Sequence, residues 1–225
     1  MIIKNIFFIC ALIIFTCQTS ITHAEGELLR RPEGTVAFCI DGDTIKLTDR
    51  RIIKLAGIDA PDLAKNKNNP QYYAKEAREY LESIVKGKKV LLYVSGVSDK
   101  DSYGRIIADV RIENGESLSE MMVENGAAYY YPHQDQSPNF QNRLFAAQDS
   151  AIKAKAGFWD HILSLPIAQQ QYTGNRSNLR FYPANCSAIR NILPRNRVYF
   201  GTLMDAFLAG FSPAKECSFW PTVQK

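Results

Sequence analysis

The stretch "IKLAGIDAPD", residues 53–62, decides the fold. Its first half has the apolar pattern of a buried β-strand. The strand then breaks into two carboxylates, Asp59 and Asp62, on either side of Pro61, which makes the turn between them rigid. A lysine, Lys54, precedes the first of these acids by five residues. A strand that ends in two acids and a proline indicates that polar functional side chains lie at this end of the sheet.

Strand-like segments fill most of the chain from Gly34 to Val110. Five of them are rich in β-branched and aromatic residues and are bounded by turn residues. They are "TVAFCI" (35–40), "TIKLT" (44–48), "RIIKLAGI" (51–58), "KVLLYV" (89–94) and "RIIADVRI" (105–112). The Asp-Gly pair of "IDGDT" (40–44) predicts a tight turn between the first two strands.

Three helices are expected among and after these strands. The apolar spacing predicts the first over Gln71–Lys86, with Gly87 at its end. Ser117 and Glu120 predict a capping box for a second helix, which ends at Gly126. The third would open at Pro138 and end at Gly157.

This order of elements predicts an α+β fold for residues 33–162. Three strands, a helix, two strands and two further helices favour a small closed antiparallel barrel of OB type, with the three helices packed against it. Residues 163–174 are polar and lack periodicity, so they predict a linker. Residues 175–225 predict a small α+β module, with a helix over Thr202–Ala209 that has Asp205 in its first turn.

Residues 1–24 predict a secretory signal peptide. One lysine precedes an apolar run of ten residues, which is too short to span a bilayer, and small residues follow. A lipoprotein anchored at Cys17 is the alternative. We therefore expect a secreted or periplasmic protein, a monomer with no membrane contact once the signal is removed.

The charge is unevenly spread along the chain. The whole chain has 27 basic and 23 acidic residues, and the last part, 165–225, has seven basic and two acidic. A basic tail can attract a polyanion, although solvated surface charge is the simpler explanation. Only His133 and His161 remain after residue 24, which argues against metal chemistry that uses several histidines.

Two sharp turns each carry two acids. They are Asp41 and Asp43 in "IDGDT", and Asp59 and Asp62 in "GIDAPD". Hard divalent cations bind several oxygens, and carboxylates from separate turns can supply them. Lys54 and Arg105 add cations suited to a phosphate. Each acid alone is explained by turn formation, but the combination indicates a metal and phosphate site.

Four motifs, in this order, resemble the staphylococcal nuclease (thermonuclease) family over about residues 33–162. They are "IDGDT" (40–44), "KLAGIDAPD" (54–62), "DSYGR" (101–105) and "MVENG" (122–126). The resemblance implies an OB-fold barrel and a Ca²⁺-dependent phosphodiesterase that acts on DNA and RNA. It also implies that Asp43, Asp59 and the carbonyl of Ala60 hold the calcium ion, with Asp41 in the outer shell.

The same resemblance implies further roles for residues of the site. Arg105 would bind the scissile phosphate and stabilise its developing charge, and Tyr103 would contact a nucleotide. Tyr129, Tyr130 and Tyr131 fall near the family's base-stacking tyrosines, and core or rim packing is an equal alternative for them.

Two positions depart from the family pattern. Lys54 stands where the family has arginine, so the planar bidentate grip on a phosphate is lost. Asp62 stands where the family has the glutamate presumed to be the general base, and its carboxylate is withdrawn by about 1.5 Å. Because a displacement of about 1 Å can cost about 100-fold in rate, we expect a weakened nuclease. The alternative is a nucleic-acid-binding module that has lost catalysis.

The tail is similar to a small Ada-type metal-binding module, through "YTGNRSN" (172–178), "LPRNRVYF" (193–200) and "DAFLAGFSPAKEC" (205–217). That module holds zinc with cysteine thiolates, but only Cys186 and Cys217 match, and Ala214 replaces another cysteine. Two thiolates do not fill a structural zinc site, so a Cys186–Cys217 disulfide is expected instead.

Five arginines of the tail would then help to recruit nucleic acid. They are Arg176, Arg180, Arg190, Arg195 and Arg197. Binding of a protein partner through Phe219 and Trp220 is a further alternative.

Overall fold

The computed structural model describes residues 28–63, 69–93, 100–217 and 219–223. The predicted signal peptide, residues 1–24, lies outside the described residues. In the part that is described, no helix has the length and apolar character needed to cross a membrane.

The first half of the chain forms a closed five-stranded barrel. Its strands are β1 (Leu28–Asp41), β2 (Thr44–Leu47), β3 (Ile52–Leu55), β5 (Lys89–Tyr93) and β6 (Ile106–Arg111), in the order β1-β2-β3-β6-β5. A separate short pair joins β4 (Ile58–Asp59) to β7 (Tyr129–Tyr130). The OB-type barrel expected from the sequence is confirmed.

One strand pair differs from the expected antiparallel arrangement. Strands β3 and β6 pair in parallel, with Ile53 opposite Ile106 and Leu55 opposite Ala108. A closed ring with an odd number of strands cannot alternate in direction all the way round, so at least one pair must be parallel.

The three expected helices are present, and each is shorter than its sequence pattern. They are α1 (Ala74–Val85), α2 (Leu118–Glu124) and α3 (Pro138–Ala154). The capping box of α2 is only half formed. Ser117 accepts a hydrogen bond from the Glu120 N–H, but the Glu120 carboxylate accepts one from Nε of Arg143 at 2.8 Å instead of turning back to the cap. An additional short helix, α4 (Trp159–Ser164), follows α3.

The C-terminal part forms a four-stranded sheet with one helix. Its strands are β8 (Tyr172–Asn175), β9 (Arg180–Pro183), β10 (Arg197–Phe200) and β11 (Ser212–Pro213), in the order β10-β8-β9-β11, and the helix is α5 (Leu203–Leu208). The expected capping box of α5 is formed by Thr202 and Asp205. Cys186 and Cys217 form a disulfide.

The segment predicted as a linker, 163–174, is instead part of the packed structure. It contains the 3-10 helix Pro166–Gln169 and the start of β8, and both Ala168 and Tyr172 are buried. The hydroxyl of Tyr172 donates to the Ile167 carbonyl at 2.7 Å, which lets a tyrosine in a polar run become a core residue.

The two halves share an aromatic core. Phe158 and Trp159 of the first half pack edge-on against Trp220 and Phe207 of the second. The Trp220 indole donates to the Tyr72 carbonyl at 3.0 Å, and this tryptophan is only 8% exposed. Trp220 is therefore a core residue, and the C-terminal module is held firmly against the barrel domain.

Candidate active site

One open cleft, of about 620 Å³, brings together all seven residues predicted for catalysis and metal binding. These are Asp41, Asp43, Lys54, Asp59, Ala60, Asp62 and Arg105. Tyr103 lies on its rim with 83% of its surface exposed. The cleft lies where the β1–β2 turn, the end of β3 and the start of β6 meet.

Asp43 is held at the floor of the cleft by the β1–β2 turn. It is 4% exposed, and its two carboxylate oxygens accept hydrogen bonds from the Thr44 hydroxyl at 2.9 Å and the Ala60 N–H at 2.8 Å. A side chain on Gly42 would lie 2.8 Å from the Cβ atoms of Ala60 and Ala77. Glycine at this position therefore lets the turn approach β4 closely enough for the bond to Ala60.

Asp59 comes from β4, opposite Tyr129 of β7. It is 6% exposed, and its Oδ2 accepts a 2.6 Å hydrogen bond from the Tyr129 hydroxyl. Burial raises the pKa of Tyr129 well above its usual value, and the charge of Asp59 adds to the effect. The tyrosine hydroxyl therefore keeps its proton and remains a donor to this carboxylate.

The ammonium of Lys54 bridges the two carboxylates. It forms a short ion pair with Asp43 Oδ2 and lies 3.4 Å from Asp59 Oδ1, with 14% of its side chain exposed. Burial would raise the pKa of Asp43, but the charge and hydrogen bond of Lys54, with the Ala60 N–H, lower it to about 2. Burial would likewise lower the pKa of Lys54, yet the Asp43 and Asp59 charges raise it overall.

Asp101 orients the Arg105 side chain. Its Nε donates to Asp101 Oδ2 at 2.7 Å, and Nη1 lies 3.3 Å from the Thr44 hydroxyl oxygen. Asp101 also accepts the N–H groups of Tyr103 and Arg105, each at 2.9 Å. Burial would raise the pKa of Asp101, but the hydrogen bonds and charge of Arg105 lower it. The guanidinium is therefore fixed at the edge of the cleft.

The other two acids stand at the sides of the cleft. The Asp62 backbone exchanges hydrogen bonds with Gln71: its N–H donates to Gln71 Oε1 at 2.6 Å, and its carbonyl accepts the Gln71 N–H at 2.9 Å. Asp41 is half-buried and accepts the Asp43 N–H at 3.1 Å. Burial raises the pKa of Asp41 to about 6, with the Asp43 charge as the next cause.

The tyrosines predicted to bind nucleic acid occupy different environments. The Tyr103 ring is open to solvent with the Arg105 guanidinium 5.4 Å from its centroid. The Tyr131 ring lies 3.5 Å from the guanidinium carbon of Arg180, so one of its faces is covered. Tyr129 and Tyr130 are buried, at 7% and 5% exposure, and neither ring is open to a base.

Arg180 differs from the role expected for it. Its guanidinium donates to the Pro132 carbonyl at 2.9 Å and to the Ser212 hydroxyl at 2.8 Å. These bonds and the contact with Tyr131 make Arg180 a packing residue between the module and the barrel domain.

Sequence reasoning missed Lys215 as a site residue. Its ammonium donates to Asp59 Oδ1 at 2.8 Å, from 156 positions along the chain. The only signal in the sequence is its place in "SPAKEC", two residues before Cys217. A single charged residue in a basic tail does not indicate an active-site contact.

The residues of the cleft fit a divalent cation in charge and donor type. Asp43 and Asp59 are two buried carboxylates that already share a cation, the Lys54 ammonium, and Ala60 lines the same cleft. Across the described ranges, no group of three or more His, Cys, Asp or Glu side chains could hold a metal ion, so the backbone or water must complete the ligand set. The Lys54 and Lys215 ammonium groups would have to move away from these oxygens.

Comparison with known proteins identifies the family of this chain. Residues 52–161 match the family described as "Staphylococcal nuclease homologue". An uncharacterized endonuclease of Escherichia coli is 32% identical over 136 residues, which cover 59% of this chain and 80% of that protein. The thermonuclease of Staphylococcus hyicus is 31% identical over 128 residues, covering 54% of this chain and 72% of that enzyme. The chain belongs to the staphylococcal nuclease homologue family.

A longer relative aligns with more of the chain. Endonuclease YhcR of Bacillus subtilis (strain 168) is 32% identical over 219 residues, covering 86% of this chain. The chain spans only 17% of that relative's own length.

Proposed function

We propose that this chain is an exported nuclease that hydrolyses phosphodiester bonds of DNA or RNA with the help of Ca²⁺. The observation that supports this most directly is the single cleft that unites two buried carboxylates, a fixed guanidinium and a further acid. Named endonucleases and a thermonuclease among its relatives agree with phosphodiester chemistry.

The calcium ion would be held by Asp43, Asp59 and the Ala60 carbonyl, with Asp41 in the outer shell. Oxygen ligands of this kind suit Ca²⁺. When bound, the ion would neutralise charge on the phosphate and polarise it.

The chain's own residues supply the remaining chemistry. Asp101 holds the Arg105 guanidinium by its Nε–H group. The remaining N–H donors of the guanidinium bind two phosphate oxygens. Asp62 takes a proton from the attacking water as the new P–O bond forms and the bond to the leaving oxygen breaks. The leaving oxygen then takes a proton from solvent. Tyr103, exposed beside Arg105, stacks on a neighbouring base.

A second candidate is nucleic-acid binding without cleavage. It is favoured by the ammonium groups of Lys54 and Lys215, which occupy oxygens that a metal would need. Asp62 also favours this second candidate, because its side chain is shorter than glutamate and the carboxylate of the presumed general base is displaced.

Export rests on the predicted signal peptide and on the Cys186–Cys217 disulfide. Disulfides persist in oxidising compartments such as the periplasm or the extracellular space. The Ada-type resemblance of the tail remains a prediction, and we propose a metal-free version, because cysteines joined in a disulfide are not thiolate ligands. We expect a monomer.

Cleavage of single-stranded DNA and RNA, first with Ca²⁺ and then with chelator, tests the proposal. Calcium-dependent cleavage is expected, and Asp62→Glu or Lys54→Arg should raise it. Binding by all three proteins with no cleavage at any Ca²⁺ concentration would establish the second candidate instead.

A further inference from the structure

Lys215 stands at the centre of the site although it belongs to the C-terminal module. It lines three neighbouring cavities that also share Asp59, including the main cleft with Arg105 and Asp62. Its side chain is 58% exposed, although its ammonium contacts the buried Asp59.

The backbone that carries Lys215 is anchored on both sides. Before it, β11 pairs with β9, and the Ala214 N–H donates to the Phe181 carbonyl at 2.9 Å. After it, Cys217 is bonded to Cys186. A flexible four-carbon side chain on a fixed backbone can reach different partners within the cleft without any movement of the module.

Lys54 is poorly placed to meet a phosphate in the open cleft. Its side chain is 14% exposed, and its ammonium is shared by two buried carboxylates. Removing that ammonium from Asp43 would leave a buried charge unpaired, which is costly. Lys215 forms an ion pair with only one of these carboxylates, Asp59, and lies 5.7 Å from the centroid of the Tyr131 ring; its side chain is also far more exposed, so it moves at a smaller cost.

We propose that Lys215 binds the substrate phosphate together with Arg105, and so supplies from the C-terminal module the second cation that Lys54 cannot present freely. This inference rests on the proposed nucleic-acid substrate but not on cleavage. It makes the module a part of the binding site, joined to it through the segment that Cys217 anchors.

Binding of a fluorescent oligothymidylate, measured by anisotropy in chelator, tests this without turnover. Lys215→Gln should weaken binding about tenfold and make the dependence of log K on log salt shallower by about 0.7. Lys215→Arg should retain binding. Lys153→Gln is the matched control, because Lys153 also pairs with an aspartate, with 2.6 Å to Asp149 Oδ2, and lines none of the three cavities.

A second pair of variants separates phosphate binding from neutralisation of Asp59. In an Asp59→Asn background, Lys215→Gln should still weaken oligothymidylate binding if the ammonium contacts phosphate. If it merely neutralises Asp59, the effect should disappear in that background.

Four results would overturn the inference. These are unchanged or tighter binding by Lys215→Gln, an equal loss in Lys153→Gln, no oligothymidylate binding by the unaltered protein, and disappearance of the Lys215→Gln effect in the Asp59→Asn background. Failure of the nuclease proposal looks different: the unaltered protein would bind and Lys215→Gln would weaken it, yet no divalent cation would produce cleavage.

Discussion

The Tyr129 hydroxyl donates a 2.6 Å hydrogen bond to Oδ2 of Asp59, while Oδ1 of the same carboxylate faces the ammonium groups of Lys215 and Lys54. One oxygen of Asp59 is thus committed to a buried donor, and the other faces the cleft. This arrangement fixes the direction in which Asp59 can bind a cation. The Tyr129 hydroxyl therefore orients Asp59, while its ring is 7% exposed.

Tyr129→Phe should destabilise the protein and weaken Ca²⁺-dependent cleavage. The change leaves a buried carboxylate oxygen without its donor, at a cost of about 1–3 kcal/mol. Urea unfolding and single-turnover cleavage measure the two effects. Tyr130→Phe is the control, since that hydroxyl donates at 2.9 Å to the neutral amide of Gln141. An equal or larger loss in the control would show that the bond to Asp59 has no special role.

Gly42→Ala should reduce cleavage by about tenfold or more and cost about 1–3 kcal/mol of stability. The added Cβ would lie 2.8 Å from the Cβ atoms of Ala60 and Ala77, so the turn must shift and move Asp43 away from the Ala60 N–H. Gly201→Ala is the control, because its nearest neighbour is an Asp205 oxygen at 3.4 Å. Full activity in Gly42→Ala would contradict the close approach of the β1–β2 turn to Ala60 and Ala77.

The Cys39 thiol should resist alkylation in the native protein. Burial raises its pKa from its ordinary value of 9.0 to about 12, so almost no thiolate forms at pH 8. Iodoacetamide labelling followed by peptide mapping measures the modification at Cys39 with and without denaturant. Rapid labelling of Cys39 in the folded protein would contradict its burial.

The raised pKa of Cys39 also determines how the free energy of unfolding changes with pH. Above pH about 9 the unfolded thiol loses its proton while the folded thiol keeps it, so the free energy of unfolding falls as pH rises. The slope from this group is at most about 1.4 kcal/mol per pH unit. Urea unfolding of Cys39→Ala over the same pH range should lack this contribution.

Loss of the Cys186–Cys217 disulfide should lower the free energy of unfolding by about 3 kcal/mol, since the bond closes a loop with a sequence separation of 31. It should also weaken oligothymidylate binding, because Cys217 anchors the segment that carries Lys215. The Cys186→Ser/Cys217→Ser variant tests both effects by urea unfolding and anisotropy. If the variant is less stable but binds oligothymidylate normally, the disulfide does not position Lys215.

Local patterns in the sequence were sufficient to predict the barrel. Its strands alternate with clear turn residues, and seven site residues fall in contiguous motifs such as "IDGDT" (40–44) and "GIDAPD" (57–62) at strand ends. The parallel pairing of β3 with β6 was missed, because it is a property of ring closure rather than of either strand.

The missed features depend on contacts between distant parts of the chain. Lys215 meets Asp59 across 156 positions, and Tyr129 meets it across 70. No local spacing encodes either contact. The segment 163–174 was misread for the same reason, because its apolar residues pack against a module that the sequence alone does not place.

Single-turnover cleavage of single-stranded DNA over a Ca²⁺ titration tests the central claim most directly. The unaltered protein should cleave in a saturable, chelator-sensitive manner, and Asp59→Asn should lose this response. Asp160→Asn, an acid with 69% of its side chain exposed, should behave like the unaltered protein. Equal cleavage by Asp59→Asn, or no cleavage by any version, would contradict a catalytic site built on Asp43 and Asp59.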